Sequence, residues 1–91
     1  MQIEETIGHV INECESLISE DSYKEVKHFY EHGEYEMAFE GLALELMQLD
    51  RRPVNFDYKS WCGIIKEMKL DQESVFDAEF WHKFQEWERL R

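Results

Sequence analysis

The stretch "HFYEHGEYEMAFEGLALELM", residues 28–47, combines a strongly apolar segment with five glutamates and contains no lysine or arginine. When residues are placed about 100° apart around a helix axis, two opposite sides of this segment are apolar. One side comprises Tyr35, Ala38, Phe39, Leu42, Leu46 and Leu49, and the other comprises Met37, Ala43, Leu44 and Met47. Because a helix that is apolar on nearly every side is typical of the centre of a bundle, we predict a central helix over residues 34–49. Gly41 lies between the two sides, where the absence of a side chain would let a neighbouring helix approach closely.

Two helices are predicted before the central one. Apolar residues recur at steps of three or four near the start of the chain, which predicts an amphipathic helix over roughly residues 2–19. Ser22 is followed three residues later by Glu25, the spacing of a capping box, so we expect the second helix to begin there. Gly33 fits the position just past the end of this helix, where a left-handed backbone conformation is needed.

A fourth helix is predicted after a break in the helical pattern. Pro53 lacks a backbone donor and disfavours helix before it, so the central helix is expected to end upstream of this residue. Asp57 is expected to cap the next helix. Phe56 and Trp61 have the spacing of a hydrophobic staple across its start.

Aromatic residues recur at helical spacing near the end of the chain. They are Phe76, Phe80, Phe84 and Trp87. We predict a last helix that is capped at Asp71, with Asp77 as a second cap that would divide it in two, and whose aromatic side faces the core. Trp81 lies off this side and is expected to be partly exposed. Since no stretch alternates with period two, we predict a single all-α domain over residues 1–91, a bundle of about five helices with six as the alternative.

The charge of the chain is large and unevenly distributed. The formal net charge is −11 at pH 7. Residues 1–50 carry 13 acidic and two basic side chains, whereas residues 51–91 carry eight of each. A field of this sign repels nucleic acids and anionic membranes and attracts basic proteins. We therefore expect a protein partner and no binding to nucleic acid or membrane.

The start of the chain lacks the features of an export signal. The first 20 residues contain five glutamates and no lysine or arginine, and no apolar run approaches the length of a membrane-spanning helix. We therefore expect a cytoplasmic protein. Cys14 and Cys62 both lie in apolar helical patterns, so we interpret them as reduced thiols in the core rather than as a disulfide.

Few residue patterns suggest catalysis or metal binding. His28 and His32 are four residues apart, a spacing that places two metal ligands on one helix face, and Glu25 or Glu31 is a conceivable third ligand. The simpler interpretation, which we adopt, is two exposed histidines near a helix C-terminus, where positive charge is favourable. Neither a nucleophile motif nor a glycine-rich phosphate loop is present. We therefore predict no enzyme activity, no catalytic residue, no metal and no cofactor.

The acidic side chains around the central helix are candidates for a functional surface. Glu36 and Glu40 lie one helical turn apart and repel each other, and further acidic residues lie at the preceding helix junction. A solvated face that favours solubility is the simplest explanation. The confinement of the excess charge to one half of the chain, beside two tyrosines, instead favours rapid capture of a basic protein. The predicted contact residues are Glu31, Glu34, Tyr35, Glu36 and Glu40, with Glu13, Glu20 and Asp21 as secondary candidates, although Tyr35 also fits the core side.

The segment "EVKHFYEHGEYEMAFEGLALEL", residues 25–46, resembles a run found in small bacterial immunity proteins. These proteins belong to polymorphic-toxin and contact-dependent growth inhibition systems and include the Maf-type immunity group. The resemblance implies a helical cytoplasmic protein that binds the toxic C-terminal domain of a delivered effector, often a nuclease, and blocks it without catalysis. It closely covers about a quarter of the chain and implies no fixed set of contact residues. The paired-tyrosine-proline motif of colicin-type nuclease immunity proteins is missing.

The sequence therefore predicts an immunity protein that neutralises a basic toxin domain, with a nuclease as the expected class, in a 1:1 complex. In this hypothesis the acidic side chains pair with the lysines and arginines that otherwise hold nucleic acid. The alternative is a helical adaptor or regulatory subunit that docks on a non-toxin protein through its aromatic C-terminal helix. Trp81 would then be the main contact residue.

Overall fold

Five α-helices form the framework of the protein in a computed structural model that describes residues 2–90. They are α1 (Ile3–Glu13), α2 (Glu20–Glu31), α3 (Tyr35–Leu49), α4 (Tyr58–Glu67) and α5 (Phe80–Arg89). A 3₁₀ helix over Glu15–Leu17 connects α1 to α2, and residues 2–90 contain no β-strand. The prediction of an all-α bundle of about five helices is therefore confirmed. None of the helices in this range is long and apolar enough to cross a membrane.

The central position of α3 follows from its apolar sequence. Several of its residues have no exposed surface: Ala38, Phe39, Leu42, Ala43 and Leu46. α3 packs against α1, α2 and α5, which cover its apolar sides from different directions. The predicted central helix is thus confirmed, and it begins at Tyr35 rather than at residue 34. Leu49 at its end is 40% exposed, so the prediction that this residue joins the core is wrong.

The cap of α2 is Ser19 rather than Ser22. The Ser19 hydroxyl accepts a hydrogen bond from the backbone N–H of Ser22 at 3.1 Å. α1 ends at Glu13, well before residue 19, and the chain is extended at Ile18, whose side chain is buried in the core. The expected capping box at Ser22 is therefore wrong. The helix begins directly after Ser19, three residues before Ser22, because the extended residue Ile18 is held in the core.

A close contact between α1 and α2 occurs at Gly8. A Cβ atom at Gly8 would lie only 2.6 Å from the hydroxyl oxygen of Tyr30. This hydroxyl donates a hydrogen bond to the backbone carbonyl of Glu4 at 3.0 Å, so the tyrosine ring lies across the α1 backbone. The close approach that was predicted at Gly41 does not involve a helix. A Cβ atom there would meet the ring of Phe76 at 3.6 Å, an ordinary contact distance.

Three helices end with a residue in the left-handed conformation. These residues are Gly33 after α2 (φ 74°), Asp50 after α3 (φ 52°) and Lys69 after α4 (φ 60°). In each case the next residue donates a backbone hydrogen bond of 2.9–3.0 Å to the carbonyl five positions back, the pattern of a Schellman motif. The prediction for Gly33 is confirmed. The other two ends use residues that give no such signal in the sequence.

The start of α4 matches the predicted staple. The rings of Phe56 and Trp61 lie edge to face with centroids 5.0 Å apart, and Trp61 is buried. Asp57 directly precedes the helix, as expected, and its carboxylate accepts a hydrogen bond from the Ser60 hydroxyl at 2.5 Å. This bond lowers the pKa of Asp57 below its ordinary value.

The start of α5 differs from the main prediction. Asp71 lies in a non-helical segment that continues until α5 begins at Phe80. Asp77, the second predicted cap, also lies outside the helix: Glu79 directly precedes α5 without a side-chain cap, and the Asp77 carboxylate accepts a hydrogen bond from the Glu79 N–H at 2.9 Å in the turn before it. As a result Phe80 and Phe84 are fully buried, whereas Phe76 lies outside the helix and is 50% exposed. The prediction that Phe76 belongs to the aromatic core side of the last helix is therefore wrong.

An arginine fixes the C-terminal helix to the loop that follows α3. The guanidinium carbon of Arg52 lies 3.9 Å from the ring centroid of Trp87, and its Nη2 donates to the Trp87 carbonyl at 2.9 Å. Asp50 accepts a hydrogen bond from the Trp87 indole N–H at 2.9 Å and pairs with Arg52 at 3.1 Å. The side chains of Arg52 and Asp50 therefore both hold Trp87 in place.

Candidate protein-interaction surface

Most of the predicted contact residues are exposed, but they do not form one continuous patch. The exposed ones are Glu13, Glu20, Asp21, Glu31, Glu34 and Glu36. Tyr35 is half-buried, in agreement with its predicted fit to the core side of α3. Glu40 has no exposed surface at all.

Glu40 is a structural residue, and the prediction that it contributes to an exposed acidic face is wrong. Its carboxylate accepts three backbone hydrogen bonds from the segment before α5. Oε1 accepts from the N–H of Val75 at 2.8 Å, and Oε2 accepts from the N–H groups of Phe76 and Asp77 at 2.8 and 2.9 Å. A buried carboxylate needs such partners, because its desolvation is otherwise very unfavourable. In the folded protein this side chain is not available to a binding partner.

The exposed carboxylates at the start of α3 line a groove that faces the segment after α4. We define the acidic groove by its carboxylates Glu34, Glu36 and Glu73, its apolar residues Met37 and Val75, and Lys69. Two of these carboxylates belong to the predicted contact set, whereas Glu73 was not predicted. The groove therefore combines a net negative rim with apolar surface, a combination that suits a basic and partly apolar ligand.

Tyr35 lies on the other side of Glu36, in a neighbouring groove. That groove is lined by Tyr35, Glu36, Glu67 and Lys69 among others, so Glu36 and Lys69 belong to both grooves. Partial burial and the nearby carboxylate of Glu4 raise the pKa of Tyr35 above its ordinary value. The phenol is therefore neutral at physiological pH and offers an apolar ring edge next to Glu36. Its ring also packs edge to face on Tyr30, with centroids 5.6 Å apart.

Glu31 and Glu20 face a separate groove on the other side of α2. This groove also contains Lys24 and Lys27, and Lys24 pairs with Glu20 at 3.4 Å. The local charge is therefore partly balanced, unlike that of the acidic groove. Glu13 and Asp21 line neither groove. Of the predicted set, the structure brings together Glu34, Tyr35 and Glu36 and separates the others from them.

The residues that sequence reasoning missed belong to the segment between α4 and α5. Val75 and Phe76 are 45% and 50% exposed, although a helical pattern assigned Phe76 to the core. Glu73 was placed in the first turn of the last helix, which in the structure begins only at Phe80. The contact that shapes this segment is made by Glu40, which is 35 positions away from Val75 in sequence. Local spacing gives no signal for such a contact.

The histidines and cysteines do not form an additional site. The rings of His28 and His32 lie 4.2 Å apart, and His32 Nδ1 donates to the His28 carbonyl at 2.8 Å. Within residues 2–90, no group of three or more His, Cys, Asp or Glu side chains is arranged to hold a metal ion. Cys14 is buried and Cys62 half-buried, and neither forms a disulfide. Burial raises the pKa of the Cys14 thiol to about 12.

The acidic groove presents carboxylates that can pair with cationic side chains. Within residues 2–90, Glu34 and Glu36 form no ion pair, so both carboxylates are available to a lysine or arginine from outside. The apolar residues Met37 and Val75 of the same groove offer surface that a bound partner would remove from water. Comparisons of the chain with protein-family models, with curated proteins and with solved structures find no match.

Proposed function

We propose that this protein is an immunity protein that binds a basic toxin domain in a 1:1 complex and blocks it. The observation that carries the proposal is that two carboxylates, Glu34 and Glu36, are exposed beside apolar surface and form no ion pair within residues 2–90. Both lie in the half of the chain that holds the net charge of −11. The resemblance of residues 25–46 to bacterial immunity proteins supports the same function.

The charge distribution favours fast association with a basic partner. Long-range attraction can raise association rates to about 10⁸ M⁻¹s⁻¹ or more at low salt. A toxin that acts on nucleic acid needs lysines and arginines to bind phosphates, and those side chains are complementary to this surface. Covering them would exclude the nucleic acid without any chemical step. A nuclease domain is therefore the toxin class that we propose.

The adaptor alternative is supported by little exposed aromatic surface on α5. Phe80 and Phe84 are fully buried, and Trp87 is covered by Arg52. Trp81 is half-buried and stacks on Phe84 with centroids 6.4 Å apart. The aromatic side of α5 thus contributes mainly to the core. No feature of α5 makes it a better docking surface for a second protein than the acidic groove.

The test is co-purification with the C-terminal domain of a large secreted protein encoded directly upstream, at increasing salt concentration. We expect a tight 1:1 complex that forms more slowly as salt increases and that protects cells producing the domain. The double variant Glu34→Lys/Glu36→Lys should lose binding while remaining folded. Glu5→Lys/Glu25→Lys, which changes the net charge equally at exposed positions outside the groove, is the matched control. Equal loss in both variants would show that net charge alone acts, and the absence of binding and protection would refute the pairing.

A further inference from the structure

We propose that the acidic groove takes a basic segment of the partner that also carries an apolar side chain, and that Val75 and Phe76 are the anchor for that side chain. The inference rests on the proposed function, because it specifies how the basic partner is held. It adds an apolar contact, at Val75 and Phe76, to the electrostatic attraction of the acidic groove. The occupant is a lysine- or arginine-containing protein segment, not a nucleic acid or a lipid.

The first observation is that two adjacent large apolar side chains are exposed while their backbone is fixed. Val75 is 45% and Phe76 is 50% exposed. The N–H groups of both residues donate to the buried carboxylate of Glu40 at 2.8 Å. The exposed side chains are therefore presented on an anchored backbone. A surface that is already ordered loses less conformational entropy when it binds a partner.

The second observation is that Val75 belongs to the apolar lining of the groove and that Phe76 directly follows it in the chain. The Phe76 ring lies against the surface of α3 at Gly41, one helical turn after Met37, where a Cβ atom would be 3.6 Å from the ring, an ordinary contact distance. The same ring packs against Phe29, with centroids 6.1 Å apart. We refer to Phe29, Met37, Val75 and Phe76 as the apolar strip: Met37 and Val75 line the groove, and Phe76 follows Val75 and packs against Phe29.

The third observation is the charge beside this strip. Glu34, Glu36 and Glu73 line the groove, and Lys69 is its one basic lining residue within the part of the chain that the structure describes. An acidic ligand would be repelled, and a purely apolar one would leave the carboxylates unpaired. A segment with both basic and apolar side chains satisfies both parts of the surface. Basic residues would contribute mainly to the association rate, and the apolar anchor mainly to slow dissociation.

The test is an NMR titration of the ¹⁵N-labelled protein with two synthetic peptides of equal length and charge. One peptide combines lysines with leucines and the other combines lysines with serines. We expect the lysine–leucine peptide to bind about tenfold more tightly, the ratio that corresponds to about 1.4 kcal/mol. Its amide shift changes should cluster at residues 33–37 and 73–77. This measurement uses the unmodified protein and does not depend on the folding of any variant.

The variant Val75→Ser/Phe76→Ser should remove the preference for the lysine–leucine peptide, mainly through faster dissociation. Val54→Ser/Leu90→Ser, which changes two exposed apolar residues elsewhere, should retain it. Equal affinity of the unmodified protein for both peptides, or shifts spread over the acidic half of the chain, would overturn the anchor while leaving capture of basic proteins intact. Absence of binding by either peptide at low salt would contradict the proposed function as well.

Discussion

Replacement of Glu40 by glutamine should strongly destabilise the protein, although it removes no atom from the core. In the folded state Oε2 accepts two backbone N–H groups and Oε1 accepts a third, all at 2.8–2.9 Å. A glutamine has one carbonyl oxygen, which can replace Oε2, and an amide NH₂ group, which cannot accept. The N–H of Val75 would then face another donor. The bonds from Phe76 and Asp77 would lose their charged acceptor.

The size of the effect follows from these three bonds. A hydrogen bond to a charged group contributes about 1.5–3 kcal/mol, and a neutral one about 0.5–1.5 kcal/mol. The variant loses one charged bond and weakens two others, while the lower desolvation penalty of a neutral side chain offsets part of the loss. We expect the free energy of unfolding to fall by about 2–4 kcal/mol, a large fraction of the roughly 5–15 kcal/mol typical of a domain.

The assay is urea unfolding followed by tryptophan fluorescence, with Glu36→Gln as the matched control. Glu36 is one turn before Glu40 on the same helix but is exposed, so its replacement should change the free energy of unfolding by no more than about 0.5 kcal/mol. In Glu40→Gln, the amides of residues 75–77 should also exchange hydrogen faster. If the two variants had the same stability, the reasoning from the buried carboxylate would be refuted.

Three substitutions and one chemical modification test other local features of the structure. Gly33→Ala should lower the free energy of unfolding by about 1 kcal/mol through backbone strain alone, since no atom lies within 4 Å of the new Cβ. Lys69→Gly should raise it by about 0.5–1 kcal/mol, because glycine adopts the left-handed conformation without strain. Urea unfolding measures both. The hydrogen bond from Lys83 lowers the pKa of Asp77, so the stability it contributes is present above about pH 4 and is lost as the pH falls through the lowered value. Acid titration should therefore destabilise Asp77→Asn less than the parent; equal acid sensitivity would contradict this. Cys14 should resist iodoacetamide at mildly alkaline pH until urea unfolds the protein, because burial raises its pKa to about 12, and rapid labelling of the native state would show that it is accessible.

The parts of the fold that could be predicted from sequence depend on local patterns. The apolar sides of α3, the glycine after α2 and the staple of Phe56 and Trp61 each involve residues close together in the chain. Capping was less predictable, because Ser19 and Ser22 are chemically equivalent candidates. The burial of Ile18 decides between them, and that depends on tertiary packing.

The segment between α4 and α5 could not be predicted because a distant side chain shapes it. The spacing of Phe76, Phe80 and Phe84 fits a continuous helix. In the structure, the N–H groups of Val75, Phe76 and Asp77 are bonded to Glu40 instead of to helical carbonyls. The same contact explains both errors about this region, since it buries a glutamate that looked exposed and exposes a phenylalanine that looked buried.

Two glutamates one turn apart on α3 therefore have opposite environments, because Glu36 is exposed and Glu40 is buried. Glu36 remains in solvent at the acidic groove, where its charge is available to a partner. Glu40 holds the backbone of Val75 and Phe76, and so shapes one wall of the same groove. A change at Glu36 should alter association with a basic partner without altering stability. A change at Glu40 should alter stability and also the position of the apolar anchor, so the two residues distinguish the charge of the surface from its shape.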